Sequence, residues 1–301
     1  MPLRIELDCK TLKKLTLIII SIFYYLIISV PAFALEQGLL WQIEAPNGAK
    51  STIFGTMHLI DKDMNRVFNL IAYYVKRSRF VFIEYTLDDT DSIYITNNLI
   101  NTKTPIKSKL SAQELIKLEK FFSEYHIPFK LLKKSSPSLI YGYLINPGSL
   151  NDLQIDFKIA DLAKEQNIPV KGLENSRDVF ERMLRLDNSF FILALKNALL
   201  NIDLLPSYRK KMKSLYFNED LNGILLSLNE KEINEEANKA FLNTLINERN
   251  INMFHAAQAE LNKGNAFIAI GAAHLAGEKG LLNLLSNAGY KITRLNFLSS
   301  K

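Results

Sequence analysis

Two of the chain's four histidines sit in the same local setting. FGTMHLID (residues 54–61) and IAIGAAHLAG (residues 268–277) each run an apolar stretch into a glycine and place a histidine three residues later. Two further apolar runs, RFVFIEY and IPVKGLE, stop at Glu84 and Glu174. His58, Glu84, Glu174 and His274 therefore each close a short apolar run. Imidazoles and carboxylates are the groups that ligate a divalent ion or move a proton near neutral pH. Two imidazoles with one or two carboxylates suit zinc, manganese, cobalt or iron. Such an ion lowers the pKa of its bound water from 15.7 toward about 7, and a spare glutamate takes the proton. Spacing alone does not say which glutamate is ligand and which is base.

Each of these residues has a plainer reading. A lone histidine near a strand end is more often hydrogen-bonded and structural; the shared Gly-x-x-His setting is what lifts this pair. Glu174 also fits a carboxylate at the start of the helix near Asn175. Asp156, opening DFKIADLAKEQN, reads as a helix N-cap. His126 reads as a turn residue and His255 as a helix residue. The chain has no Gly-x-Ser-x-Gly elbow, HExxH, Walker A or Gly-x-Gly-x-x-Gly motif. Its single cysteine is Cys9.

The elements that must position these residues follow from periodicity. LLWQIEAPNGAKSTIFGT reads as a hairpin turning at Pro46-Asn47-Gly48. Residues 79–85, 168–174 and 265–274 are bounded apolar runs, hence buried strands, and KITRLNF is a last strand. Residues 68–78 have helical spacing. Residues 86–155 look mainly helical, with a Ser111–Glu114 capping box and Pro137 at a first turn. Residues 178–262 read as long helix broken near Pro206 and Asn218, and Gly289 as a helix C-cap. The fold class is α/β: a central, mostly parallel sheet with an antiparallel hairpin at the N-terminal side, flanked by helices, with a largely helical insertion. In open sheets of this class ligands bind at the carboxyl ends of the strands, where all four residues would meet.

Residues 1–34 stand apart. Arg4, Lys10, Lys13 and Lys14 precede LTLIIISIFYYLIISV, and Ala32-Phe33-Ala34 fits a signal-peptidase site. We expect a signal peptide over 1–34 and one domain over 35–301, exported to a periplasmic or extracellular location, or membrane-anchored if the leader stays. Without Cys9 the mature chain has no thiol, so disulfides, cysteine catalysis and thiolate metal sites are excluded. The net charge of +6 is mild. The run Arg209, Lys210, Lys211, Lys213 reads as a solvated helix face, and no nucleic-acid motif accompanies it.

LLWQIEAPNGAKSTIFGTMHLID, FVFIEY, IPVKGLEN, ERN and FIAIGAAHLAGEKGLLNLLSNAGYKI together resemble the TraB/GumN family, related to TIKI metalloproteases and more distantly to erythromycin esterase-like and ChaN-like proteins. The likeness covers most of the chain after the leader and is weakest over residues 86–150. It implies that His58 and His274 form the active centre with Glu84 and Glu174. It adds Arg249, from ERN, as a group that holds an oxyanion or a carboxylate. It also marks Asp156 as a position where members often carry an aspartate. The expectation is an exported metal-dependent hydrolase, most simply a peptidase, with His58, Glu84 and His274 on the metal and Glu174 as base. Its substrate would be a peptide or protein, and TIKI-type relatives suggest association with a membrane surface. The alternatives are a metal-independent, esterase-like hydrolase with a histidine base, and a non-enzymatic peptide- or pheromone-binding protein.

Overall fold

The computed structural model describes residues 35–58, 63–147, 155–228 and 234–296. The expected leader lies outside these residues. The strands are β1 (Leu40–Glu44), β2 (Lys50–Thr56), β3 (Phe80–Ile83), β4 (Val170–Gly172), β5 (Ala266–Gly271) and β6 (Lys291–Arg294). They form one sheet in the order β4-β3-β5-β2-β1-β6. β1 is antiparallel to β2 and β6. β5 runs parallel to both β2 and β3, and β3 runs parallel to β4. The expected hairpin is present: Gly48 takes φ +84, and its amide donates to the Ala45 carbonyl. β5 is buried from Ala266 through Ile270, as a parallel strand covered on both faces must be. It ends at Gly271, and Ala272–His274 form a single 3-10 turn.

The helices are α1 (Asp63–Val75), α2 (Asp89–Ile95), α3 (Ala112–Glu124), α4 (Phe129–Leu132), α5 (Pro137–Ile145), α6 (Ile155–Glu165) and α7 (Ser176–Arg185). They continue with α8 (Ile192–Leu200), α9 (Leu205–Phe217), α10 (Leu221–Ser227), α11 (Glu235–Leu242), α12 (Glu248–Leu261) and α13 (Leu281–Asn287). α1 packs on α6, which lies against β3, β4 and β5, while α12 pairs with α13. Their apolar stripes join the strands in the main core, with Ile71, Ile159, Met253 and Leu282. The α3–α5 region and α8 bury a second core of their own around Leu118, Phe122, Ile140 and Leu195. That is the helical insertion the sequence suggests.

Local signals explain the helix ends. Ser111 and Glu114 form the capping box of α3, and Pro137 occupies the first turn of α5. Gly289, at φ +86, follows α13 in the left-handed conformation that glycine adopts freely. The expected long helix over 178–262 is more broken than its composition suggests. The two expected breaks are present: α8 ends at Leu200 and Pro206 sits in the first turn of α9, and Asn218 closes that helix. Single π turns at Asp187–Phe191 and Asn243–Asn247 interrupt the others. Among the described residues no single helix is long and apolar enough to cross a membrane.

Candidate active site

The parallel register brings the strand ends to one edge of the sheet. Thr56 pairs with Gly271 across β2 and β5, and Glu84 follows β3 directly. Glu174 follows β4 by two residues, and its amide donates to the Glu84 carbonyl. Opposite them, the π turn at Asn243–Asn247 leads into α12, whose first turn carries Arg249 and Asn250.

Arg249 is the hub. Its Nη2 donates to Glu84 Oε2 and its Nε to Glu174 Oε2, each at 2.7 Å. Its Nη1 lies 3.3 Å from His274 Nε2. Since a guanidinium only donates, Nε2 must accept, so the proton of a neutral ring sits on Nδ1. Asn250 Oδ1, 2.7 Å from Nδ1, accepts it, and the Asn250 amide nitrogen donates to the Lys279 carbonyl. The chain of contacts thus fixes both the tautomer and the orientation of the amide. Gly271 closes the ring: its N–H donates to Glu84 Oε1 at 2.7 Å, and a Cβ there would stand 3.0 Å from that oxygen. Gly172 lets the backbone leaving β4 lie close against the chain leaving β3: a Cβ would meet the Tyr85 Cα and the Glu174 carbonyl oxygen, each at 2.8 Å.

These side chains are between 3% and 9% exposed, so burial and pairing compete. For Glu84, burial raises the pKa, but Arg249, His274, His58 and the Gly271 amide hold it well below the usual carboxylate range. Glu174 meets the same guanidinium yet moves the other way. It accepts fewer hydrogen bonds, and burial raises its pKa despite Arg249. Burial presses His274 down to about 4, with Arg249 adding to the effect, so its ring is neutral. Arg249 stays charged, because Glu84 and Glu174 outweigh its burial.

His58 is at the rim. Its Nδ1 lies 3.2 Å from Asp156 Oδ2, an ion-pair distance. Thr56 Oγ1 donates to Asp156 Oδ1 at 2.7 Å. The ring is off the angle for a hydrogen bond, and the buried Oδ2 has no hydrogen-bond donor. Crowding depresses the His58 pKa, and Asp156 and Glu84 outweigh it and raise it. Water reaches half of the side chain (49% exposed) and screens the pair, so its contribution to stability is small. The His58 carbonyl accepts from the Asn146 side chain. His58, Glu84 and Asp156 line a cavity of about 10 Å³ with Ile83, Tyr85 and Phe157, room for about one water.

All five expected residues thus fall in one region, but with different partners. His274, Glu84, Glu174 and Arg249 form a closed network, while His58 pairs with Asp156. The N-cap reading of Asp156 gives way: it lies inside the first turn of α6 and faces Thr56 and His58. Asn175 caps α7, leaving Glu174 to Arg249. His126 takes φ +56 as a turn residue, and His255 is exposed on α12. Asn250 was missed, although ERN carries it beside Arg249. Among the described residues no three His, Cys, Asp or Glu side chains converge as a finished metal cage. Two donor pairs have spacings that one ion with bonds of about 2 Å spans. They are His58 with Asp156 at 3.2 Å and Glu84 with His274 at 3.9 Å.

The fold and site define an α/β protein with a buried charged centre at the carboxyl ends of its parallel strands. The chain belongs to the TraB/PrgY/gumN family, whose model matches residues 39–294. No curated protein matches it.

Proposed function

We propose that the chain is a hydrolase that directs water onto a peptide or ester carbonyl at the Arg249 centre. The observation that supports this most is the opposite displacement of two neighbouring carboxyls on one guanidinium. Glu84 is held ionised as an anchor, and Glu174 has its proton affinity raised. Environments that push paired carboxyls apart assign acid and base roles. Glu174 takes a proton from water as the water oxygen bonds to the carbonyl carbon. Arg249 has five N–H groups and uses three on Glu84, Glu174 and His274. The other two meet no acceptor among the described residues and serve the developing oxyanion. Protonated His58 gives its proton to the leaving nitrogen or oxygen as the scissile bond breaks. The signal peptide expected over residues 1–34 would place this action outside the cytoplasm.

A metal-dependent form, as a peptidase, is the second reading. It is favoured by the buried Asp156 Oδ2 without a donor and by the two ion-compatible donor spacings. His58, Asp156, Glu84 and His274 would hold a zinc, manganese, cobalt or iron ion. The ion would supply a water acidified toward a pKa of about 7.

The test is digestion of a peptide library and of nitrophenyl esters by purified protein, with and without chelator, alongside metal analysis. Cleavage that survives chelation and is lost in Glu174→Gln supports the first form. Cleavage lost on chelation and restored by one divalent ion supports the second. If neither peptides nor esters are cleaved, the hydrolase reading fails.

A further inference from the structure

A cleft of about 440 Å³ opens beside the centre, at the carboxyl ends of β3 and β4. It is bounded by the segments that start α2 and α7, by Glu174, and by Val170, Lys171 and Gly172 of β4. Those last three are consecutive, and side chains along a strand point alternately to the two faces of a sheet. A cleft against one face would meet every second residue, so a cleft lined by all three lies along the strand's outer edge. β4 ends the sheet on this side, and the other edge strand, β6, lies at the far end.

The ladder fixes which backbone groups point into the cleft. The Pro169 carbonyl accepts from the Val81 amide, and the Leu173 amide donates to the Ile83 carbonyl, with Lys171 opposite Phe82 between them. Successive residues of a strand alternate in which neighbour they bond. Pro169, Lys171 and Leu173 therefore turn their backbone polar groups toward β3, and Val170 and Gly172 turn theirs away. Among the described residues those two N–H groups and two carbonyls meet no protein partner. Val170 and Gly172 are partly exposed, so a ligand can reach them. A donor and an acceptor repeated every second residue is the pattern that an extended peptide matches. The charges of the lining give no comparable preference. Asp88, Asp91 and Glu174 stand with Lys171 and Arg177, and Arg249 offsets Glu174, so neither sign dominates. No aromatic side chain lines the cleft, so it lacks the flat platform that a sugar ring would use. An edge of three residues is too short to invite a second sheet, but it admits a single chain.

We propose that this edge is the substrate subsite: a peptide in extended conformation adds to the sheet beside β4, held through its main chain by Val170 and Gly172 with little regard to its side chains. This rests on the hydrolase reading for its catalytic consequence, while the binding step stands separately. Glu174 follows Gly172 by two residues, roughly 7 Å of extended chain. A peptide paired with Gly172 therefore reaches, about two residues further on, the wall that Glu174 shares with the Arg249 centre. The subsite selects peptides, since an ester without amide groups has no main chain to pair.

The experiment uses the full chain and a fluorescein-labelled peptide of alternating Ser and Thr with an amidated C-terminus, so that its residues carry no charge. Two further peptides have the same residues, one N-methylated at every second residue and one at every residue. An added strand pairs through only one of its two edges, so the first keeps a complete edge and the second has none. Fluorescence anisotropy reads binding, and product analysis reads cleavage. Wild type should bind the unmodified and half-methylated peptides within about threefold of each other, and the fully methylated one at least about tenfold more weakly. Neutral hydrogen bonds carry this difference, so raising salt from about 50 to about 500 mM should change affinity less than about twofold. Val170→Pro removes one outward N–H and spares the ladder to β3, because an edge strand tolerates proline where its N–H faces away from the sheet. Binding should weaken about tenfold, with the melting temperature within about 3 °C of wild type. Where cleavage occurs, the loss should fall on KM rather than kcat. If Val170→Pro does not fold, the three peptides on wild type decide alone. Absent or equal binding across the three peptides, or binding that a folded Val170→Pro leaves unchanged, overturns the proposal even if peptides are cleaved. Self-association that the variant abolishes assigns the edge to a second copy and also overturns it. Methylation-sensitive binding without cleavage of any peptide or ester keeps the subsite and removes the hydrolase.

Discussion

Replacing Arg249 with methionine keeps most of the side chain's length and removes its charge. Glu84 and Glu174 would then be left as two carboxylates, 9% and 3% exposed, without their shared cation. Breaking a buried pair by removing one partner costs about 3–5 kcal/mol, because the remaining charge is uncompensated. The loss must depend on pH in a definite direction. In wild type the Glu84 pKa lies below its unfolded value of 4.5. Its pairing therefore adds stability above that pH and loses it as pH falls. In Arg249→Met the guanidinium no longer opposes burial, so both carboxyl pKa values rise relative to wild type. Such groups are tolerated when protonated and destabilise as pH rises past their unfolded values. The difference between wild type and variant should thus be largest near about pH 8 and small near about pH 4. Urea unfolding at the two pH values measures it. At the higher pH the melting temperature should fall by roughly 6–20 °C, taking about 2–4 °C per kcal/mol for a chain of this size. Adding Glu84→Gln and Glu174→Gln to the variant should recover more than half of the loss, since the buried charges go with the cation. A loss below about 1 kcal/mol, or the same loss at both pH values, would refute the argument that a buried ion triad organises the centre.

Other perturbations probe the supports. Gly271→Ala places a Cβ 3.0 Å from Glu84 Oε1, an oxygen already fixed by the Gly271 amide. Activity should fall at least about tenfold, near 1.4 kcal/mol of barrier, and an unchanged rate would mean that Glu84 can yield. Asn250→Ala strips the acceptor from His274 Nδ1 and the donor from the Lys279 carbonyl. We expect a loss of about 1–3 kcal/mol in chemical denaturation, and in 15N spectra a His274 ring that no longer shows a single tautomer. Tyr216→Phe removes the buried hydroxyl that donates to the Gly55 carbonyl at 2.9 Å. A stability loss of about 1–2 kcal/mol with little change in activity is expected; a large change in activity would show that the His58 loop depends on that bond.

The strand ends were legible because bounded apolar runs of three to seven residues leave few alternatives. The paired Gly-x-x-His then pointed to one edge of the sheet. Other features were not legible, for physical reasons. An aspartate at a helix start looks the same whether it caps its own backbone or, like Asp156, reaches Thr56 a hundred residues away. Asn250 is a neutral amide inside a helix, and only its contact with His274 gives it meaning. π turns have no compositional signature, so the breaks at Asp187–Phe191 and Asn243–Asn247 could not be read from residue types. The competition between burial and pairing that separates Glu84 from Glu174 depends on hydrogen-bond partners that sequence spacing does not reveal.

The position of β5 sets when the buried charged centre can form during the protein's own synthesis. β2 and β3 are made early, yet neither touches the other; each pairs with β5, which begins at residue 266. Arg249 and His274 arrive equally late. A chain emerging amino end first therefore carries Glu84 and Glu174 for most of its length with no cation between them and no strand to align them. Closing the sheet waits on contacts between residues about two hundred positions apart, which favours slow, late assembly. In a nascent or prematurely terminated chain the charged centre stays unassembled, and it closes only as β5 docks. Loss of the carboxyl-terminal segment back into β5 would remove His274 together with the strand that joins β2 to β3.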